Sequence, residues 1–162
     1  VRNITSVGLI SDTHGLLRPE AIAALRGSDL IIHAGDVGAP EILDQLRTLA
    51  PVVAVRGNID TGEWALQLPL TATVKAAGAV LYVLHDVNDL NLDPAAEGFN
   101  FVISGHSHKP SHTVKNGVTY INPGSAGRRR FRLPVTVARL SLGSHPPNVQ
   151  FIDLMPTPLS GV

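Results

Sequence analysis

Short apolar runs that end in polar, glycine-containing turns recur along this chain. Ser6–Ile10 is apolar enough for a central strand and stops at Ser11-Asp12-Thr13-His14-Gly15. Pro19 then suits the first turn of a helix over Glu20–Leu25, which Gly27 ends. Leu30–Ala34 is a second apolar strand, running into Gly35-Asp36. Pro40 opens a second helix through about Ala50, with Ile42, Leu43, Leu46 and Leu49 at helical spacing. Pro51 stops it, and Val52–Val55 is a third strand that ends at Gly57-Asn58-Ile59-Asp60. Strand, helix, strand, helix, strand is the pattern of a parallel α/β sheet. In such sheets the site forms from loops at the carboxyl ends of the strands.

Beyond Trp64 the pattern shifts to hairpins. Thr71–Lys75 and Val80–Leu84 pair across a short turn, and the second strand ends at His85-Asp86. A polar loop with a short helix at Pro94–Glu97 leads to the strand Phe101–Ile103 and then to Ser104-Gly105-His106-Ser107-His108. Thr113–Lys115 and Val118–Ile121 flank Asn116-Gly117, a strong two-residue hairpin signal. Asn122-Pro123-Gly124-Ser125 is a further glycine loop. Val135–Leu142 and Val149–Leu154 close the chain as strands, and residues 156–162 read as a loose tail. The expectation is one α/β domain over residues 1–162, with two facing mixed sheets and helices outside.

Composition narrows the chemistry. Equal numbers of basic and acidic residues, 13 each, leave no global field for nucleic acid or an anionic membrane. No apolar run is long enough to cross a bilayer, so no membrane partner is expected. The N-terminal residues run straight into a strand pattern with no signal-peptide h-region, and a cytoplasmic protein is the expectation. The absence of cysteine excludes disulfides, thiolate nucleophiles, zinc fingers and iron–sulfur clusters.

Seven residues fall at strand ends: Asp12, His14, Asp36, Asn58, His85, His106 and His108. Two carboxylates, four imidazoles and an amide favour manganese, iron, cobalt, nickel or zinc over calcium or magnesium. Seven ligands exceed the needs of one tetrahedral ion. They suit two ions sharing a carboxylate, with Asp36 as the bridge. Two divalent ions bring four positive charges, the carboxylates remove two, and a bridging hydroxide removes one. About one positive charge is left for a phosphoester oxygen. Ions roughly 3.5–4 Å apart supply a hydroxide nucleophile and clamp an in-line displacement.

The runs Asp12-Thr13-His14, Gly35-Asp36, Gly57-Asn58-Ile59-Asp60, His85 and Gly105-His106-Ser107-His108 resemble the calcineurin-like metallophosphoesterases. The length and the Asn122–Ser125 loop resemble the small single-domain phosphodiesterases of bacteria and archaea. The resemblance spans about residues 5 to 155. It implies a four-layer α/β/β/α sandwich. It also implies one metal on Asp12, His14, Asp36 and His108, and a second on Asp36, Asn58, His85 and His106. Asp36, Asn58 and His85 are then the residues expected in catalysis, manganese is the favoured metal, and a homodimer or homotetramer fits the family. Many members carry a histidine after Gly-Asn that protonates the leaving group or binds phosphate. Ile59 stands there and can do neither, as is common in the small subgroup. The expectation is therefore a small phosphodiester substrate, with a phosphomonoesterase or a non-catalytic scaffold, like the retromer subunit of the same fold, as alternatives.

The remaining polar residues carry plainer readings. His33 lies within a strand and reads as a hydrogen-bonded structural histidine, while His112 and His145 read as surface groups. Asp60 is either a partner of a ligand or a turn residue, and Asp86 a candidate acceptor for a ligand imidazole. Trp64 reads as packing. The Gly124–Gly127 loop reads as a tight turn. Arg128, Arg129, Arg130 and Arg132 form a basic cluster, read as a solvated loop or subunit contact. Nucleic acid enters these expectations only as a substrate.

Overall fold

A computed structural model describes residues 3–156. The tail assigned to residues 156–162 lies outside them except for Pro156. β1 (Ser6–Ile10), β2 (Leu30–His33) and β3 (Val52–Ala54) pair in parallel, as the alternation of strands and helices requires. The connecting helices are α1 (Pro19–Leu25) and α2 (Pro40–Arg47), each with its proline in the first turn. A third, four-residue helix, α3 (Glu63–Leu66), is too short for a periodic signal and escaped the sequence reading. Its Trp64 packs against the outer core, as expected.

The second half makes its own sheet from β4 (Thr71–Ala76), β5 (Ala79–Leu84), β6 (Phe101–Ile103), β7 (Ser111–Lys115) and β8 (Val118–Asn122). The last strands, β9 (Thr136–Ser141) and β10 (Asn148–Asp153), return to the first sheet. The strand orders are β10-β9-β1-β2-β3 and β4-β5-β6-β8-β7. Both sheets are mixed: β9 runs antiparallel to β1, and β5-β6-β8 is a parallel core flanked by hairpins.

The two sheets face each other because their strands alternate. Val7, Leu9, Leu30 and Ile32 point inward and meet Leu81, Val83, Phe101, Ile103 and Ile121 from the opposing sheet. Ile10 and Ile31 point outward and bury Leu25, Ile42, Leu43 and Leu46 of the helices. On the far side, Tyr82, Leu84, Val102 and Val118 pack under Leu90, Leu92 and Phe99. That fourth layer is thin. It consists of a 3-10 turn at Val87–Asp89 and the loop after it. The helix expected at Pro94–Glu97 is a hydrogen-bonded turn that ends at once, since Gly98 adopts a positive φ and breaks the repeat. Among the described residues, no helix is long and apolar enough to cross a membrane.

The carboxyl ends of β1, β2 and β3 are locked to one another by polar groups. His33 is fully buried, and its tautomer is dictated by its neighbours. Gly35 N–H donates to Nδ1 at 3.1 Å, so the proton sits on Nε2, which faces Thr13 Oγ1 at 3.0 Å. The Thr13 hydroxyl then donates to the Val37 carbonyl at 2.8 Å. His33 is the structural histidine that the sequence suggests. Burial dominates its titration and pushes its pKa down to about 4, against the pull of the Asp12 and Asp60 carboxylates.

A pH signature follows. Below about pH 6.5 the unfolded chain takes up a proton that the folded His33 refuses until about pH 4. Stability of up to about 3 kcal/mol is therefore lost as pH falls through this window. His33→Gln keeps one acceptor and one donor but cannot titrate. It should cost about 1–3 kcal/mol at pH 7 and lose less stability than the wild type between pH 6.5 and 4.5. Urea midpoints at the two pH values measure this, and parallel acid limbs would contradict it.

Candidate metal centre

The structure brings all seven sequence-selected residues to one place, where the loops after β1, β2, β3, β5 and β6 converge. Asp12 is completely buried. Its Oδ2 is satisfied by the Ser11 hydroxyl at 2.7 Å and the His106 N–H at 3.0 Å. Its Oδ1 is left bare, 3.4 Å from His108 Nε2 and 3.7 Å from His14 Nε2. Asp36 repeats the arrangement. Oδ1 accepts the Ile59 N–H at 3.0 Å, and Oδ2 lies 3.5 Å from His14 Nε2 and 3.3 Å from His85 Nε2. One Asp36 oxygen thus faces imidazoles on both sides, as a bridging carboxylate would.

The histidines are aimed as specifically. His85 Nδ1 donates to the Ala34 carbonyl at 2.8 Å, which turns Nε2 to the centre. His106 uses the other edge of its ring: Nδ1 is 3.3 Å from His85 Nε2 and 3.2 Å from Asn58 Oδ1. Its Nε2 points outward, 3.6 Å from Asp86 Oδ2. Asp86 therefore faces His106 and not His85, its neighbour in sequence. A carboxylate so placed favours a proton on the outer nitrogen and leaves Nδ1 to the centre.

The backbone is bent to achieve this. Asp12, His14, Asp36, His106 and His108 all have φ between 48° and 71°, the left-handed region. Such residues cost on the order of 1 kcal/mol each and persist only where the surroundings over-determine them. Close approach adds a second constraint. A Cβ on Gly105 would strike Asp12 Oδ2, and one on Gly57 would overlap the Asp36 amide and carboxylate.

These groups fit a metal cation. Asp12 Oδ1, His14 Nε2 and His108 Nδ1 are buried without hydrogen-bond partners. Orphaned acceptors at this depth cost several kcal/mol unless something else binds them. Asp12, His14 and His108 form one group able to hold an ion, and Asp36, His85 and His106 a second. Electrostatics agrees. Burial raises the Asp12 pKa, but His108, His14 and Ser11 outweigh it and hold the carboxyl far below the usual range. Burial likewise opposes ionisation of Asp36, yet His85 and the Ile59 N–H bring it down. For His85, burial disfavours the charge, but Asp36 and the Ala34 carbonyl raise its pKa. Two ionised carboxylates buried together favour positive charge beside them, and the imidazoles flank the place where an ion would sit.

Several supporting residues lie outside these seven. Asp60 is buried, and its carboxylate accepts N–H groups from Val37, Gly38 and Gly57 at 2.9–3.2 Å. It staples the Asp36 loop to the Asn58 loop and settles its two readings in favour of positioning. Asn122, at the end of β8, donates to the Gly105 carbonyl and Ser107 hydroxyl, holding the histidine loop. Ser125 donates to the Asp12 carbonyl, so the Gly124–Gly127 loop braces the β1 end and is more than a tight turn. The rule that picked out the other strand ends points to Asn122 as well. His112 and His145 are exposed, as expected. The centre opens beside exposed Asn58 and half-exposed His106, where a cleft of about 220 Å³ runs past Ser107 to Lys115 and Tyr120.

The calcineurin-like phosphoesterase superfamily domain matches residues 6–145. A probable metallophosphoesterase of Methanothermobacter thermautotrophicus is 35% identical over 131 residues, 74% of this chain and 76% of that protein. Among solved structures, an archaeal phosphodiesterase superposes with a TM-score of 0.78 at 22% identity, covering 91% of this chain and 99% of that one. Vps29 of Chaetomium thermophilum superposes with a TM-score of 0.73 at 17% identity, covering 91% and 94%. Strand-end carboxylates and imidazoles, an α/β sandwich of two mixed sheets and a matching domain place this chain in the calcineurin-like phosphoesterase superfamily.

Proposed function

We propose that the chain is a phosphodiesterase that works with two divalent metal ions, manganese being the favoured one. The observation that carries this is the single Asp36 oxygen poised between His14 and His85, with Asp12 Oδ1 bare beside it. Asp12, His14, Asp36 and His108 would hold one ion, and Asp36, Asn58, His85 and His106 the other. Two such ions supply a hydroxide nucleophile at neutral pH and a positive clamp for the phosphate.

The chain's own groups do the positioning. Ser11 and the His106 amide lock Asp12 in one rotamer. Ala34 fixes the His85 tautomer, and Asp86 steadies the outer nitrogen of His106. Asn58 faces solvent, and with Oδ1 turned inward it keeps two N–H donors for a non-bridging phosphate oxygen. Ile59 is 40% exposed at the rim and brings no proton. Its backbone N–H is committed to Asp36. Departure of the leaving group is thus unassisted by this position, and Ile59 offers nothing to the extra anionic oxygen of a monoester, which supports a diester reading. The cleft beside His106 offers room for one ester arm.

Hydrolysis of bis-p-nitrophenyl phosphate and p-nitrophenyl phosphate by chelator-treated protein, with single metals restored, tests the reading. Diester turnover should require metal, prefer manganese, and fall by at least about a thousandfold in Asp36→Ala. Faster monoester turnover would keep the centre and change the substrate class. No activity on either ester and no metal uptake would favour a scaffold. Ile59→His should raise monoester turnover by at least about tenfold, because a general acid contributes on that scale or more. An unchanged ratio of monoester to diester rates would show that the missing imidazole does not set the preference.

A further inference from the structure

Beyond its Gly124–Gly127 base, the loop between β8 and β9 has no part in the centre described so far. Its base is fixed to the metal-facing end of the first sheet. Ser125 and Val135 form an isolated bridge, Gly127 N–H donates to the Asp12 carbonyl at 3.2 Å, and Arg18 donates twice to the Gly127 carbonyl. Residues 128–132 beyond this base are all exposed. Phe131 stands 93% exposed between Arg130 and Arg132, with φ at 54°. A bulky apolar ring held in solvent on left-handed backbone is unfavourable twice over, since hydration and strain both oppose it.

The charges around it are uncommitted. Arg129 donates to the Met155 carbonyl. Among the described residues, no carboxylate lies within ion-pairing distance of Arg128, Arg130 or Arg132, whereas Arg47 on α2 pairs with Asp44 at 3.1 Å. Guanidinium groups flanking an exposed aromatic ring are the chemistry that holds unpaired nucleotides, with a base on the ring and phosphates on the arginines.

We infer that Phe131, with Arg128, Arg130 and Arg132, seats single-stranded nucleic acid, and that the ester cleaved at the centre belongs to such a strand. This rests on the phosphodiesterase reading. The loop starts one residue from the backbone contact to Asp12, so a strand lying on it passes the metal-facing groups. The cleft from His106 to Lys115 and Tyr120 receives the strand on the other side. The neutral net charge of the chain confines the attraction to this rim, and a small salt dependence follows. A second copy of the chain is a weaker occupant, because Phe131 and half-buried Leu133 offer far less apolar area than a stable dimer needs.

The test compares metal-loaded protein on single-stranded DNA and RNA oligonucleotides of about ten nucleotides with its action on bis-p-nitrophenyl phosphate. Oligonucleotides should be cleaved, with log KM rising with log salt at a slope of about 2. Phe131→Ala and the double variant R130Q/R132Q should each raise the oligonucleotide KM at least fivefold to tenfold more than that of the small diester. The surface control Arg47→Gln should move neither. Whether DNA or RNA is cleaved faster assigns the sugar. Equal effects on both substrates, or cleavage of the small diester with oligonucleotides untouched, would overturn the inference. So would loss of a dimer in Phe131→Ala, seen by light scattering, without any change toward oligonucleotides. If the small diester itself is not cleaved, the phosphodiesterase reading fails instead. Fluorescence anisotropy of labelled oligonucleotides, lost in Phe131→Ala or never present, then decides the loop separately.

Discussion

Asp12 Oδ1 and Asp36 Oδ2 face one another's imidazoles in a pocket closed to water on most sides, and neither oxygen has a protein donor to itself. Much of the molecule is arranged to hold them there. The partner oxygen of each carboxylate is tied down, one by Ser11 and the His106 amide, the other by the Ile59 amide. The loops that carry them are braced in turn by Asp60, Asn122, Ser125 and the His33–Thr13 pair. The apolar layer between the sheets sets the distance between the strand ends from which these loops emerge. Converting buried electrostatic cost into affinity for a cation is the consistent physical reason for such an arrangement.

Strand alternation made the sheets legible, because inward Val7 and Leu9 and outward Ile10 follow the period of two. Proline marked the helix starts, and Asn116-Gly117 marked a hairpin whose two turn residues do adopt positive φ. The ligands were legible because every one follows an apolar run. The bent backbone at five of them was not, since aspartate and histidine enter the left-handed region more often than most residues but still only in a minority of cases. The braces were only half visible. Asp60 and Asn122 are ordinary turn residues until the topology brings five loops to one place. The thin fourth layer escaped as well, since a loop can bury Leu90, Leu92 and Phe99 without any helical period. Arg128–Arg132 read as charge alone, and the ring at Phe131 gains meaning only from its exposure and its place beside the Asp12 loop.

The same centre with a different rim would serve a different chemistry. Ile59 brings no proton donor to the rim, so on the proposed reading a leaving alkoxide takes its proton from water. Selection then passes to groups outside the centre. The cleft toward Tyr120 opens at His106, and the arginine loop starts beside the Asp12 carbonyl. The fold is shared both with an archaeal phosphodiesterase and with Vps29 structures, so fold alone does not assign an activity. What favours catalysis in this chain is its complete set of carboxylates and imidazoles, with Asp12 Oδ1 and Asp36 Oδ2 facing imidazole nitrogens.

The central claim is that two metal ions share Asp36. Anomalous scattering from crystals grown with manganese, recorded on both sides of its absorption edge, tests this most directly. The account requires two peaks per chain, roughly 3.5–4 Å apart. One should lie within bonding distance of Asp12, His14 and His108, the other of Asn58, His85 and His106, with Asp36 reaching both. A single peak, or two peaks that leave Asp36 uncoordinated, would contradict it.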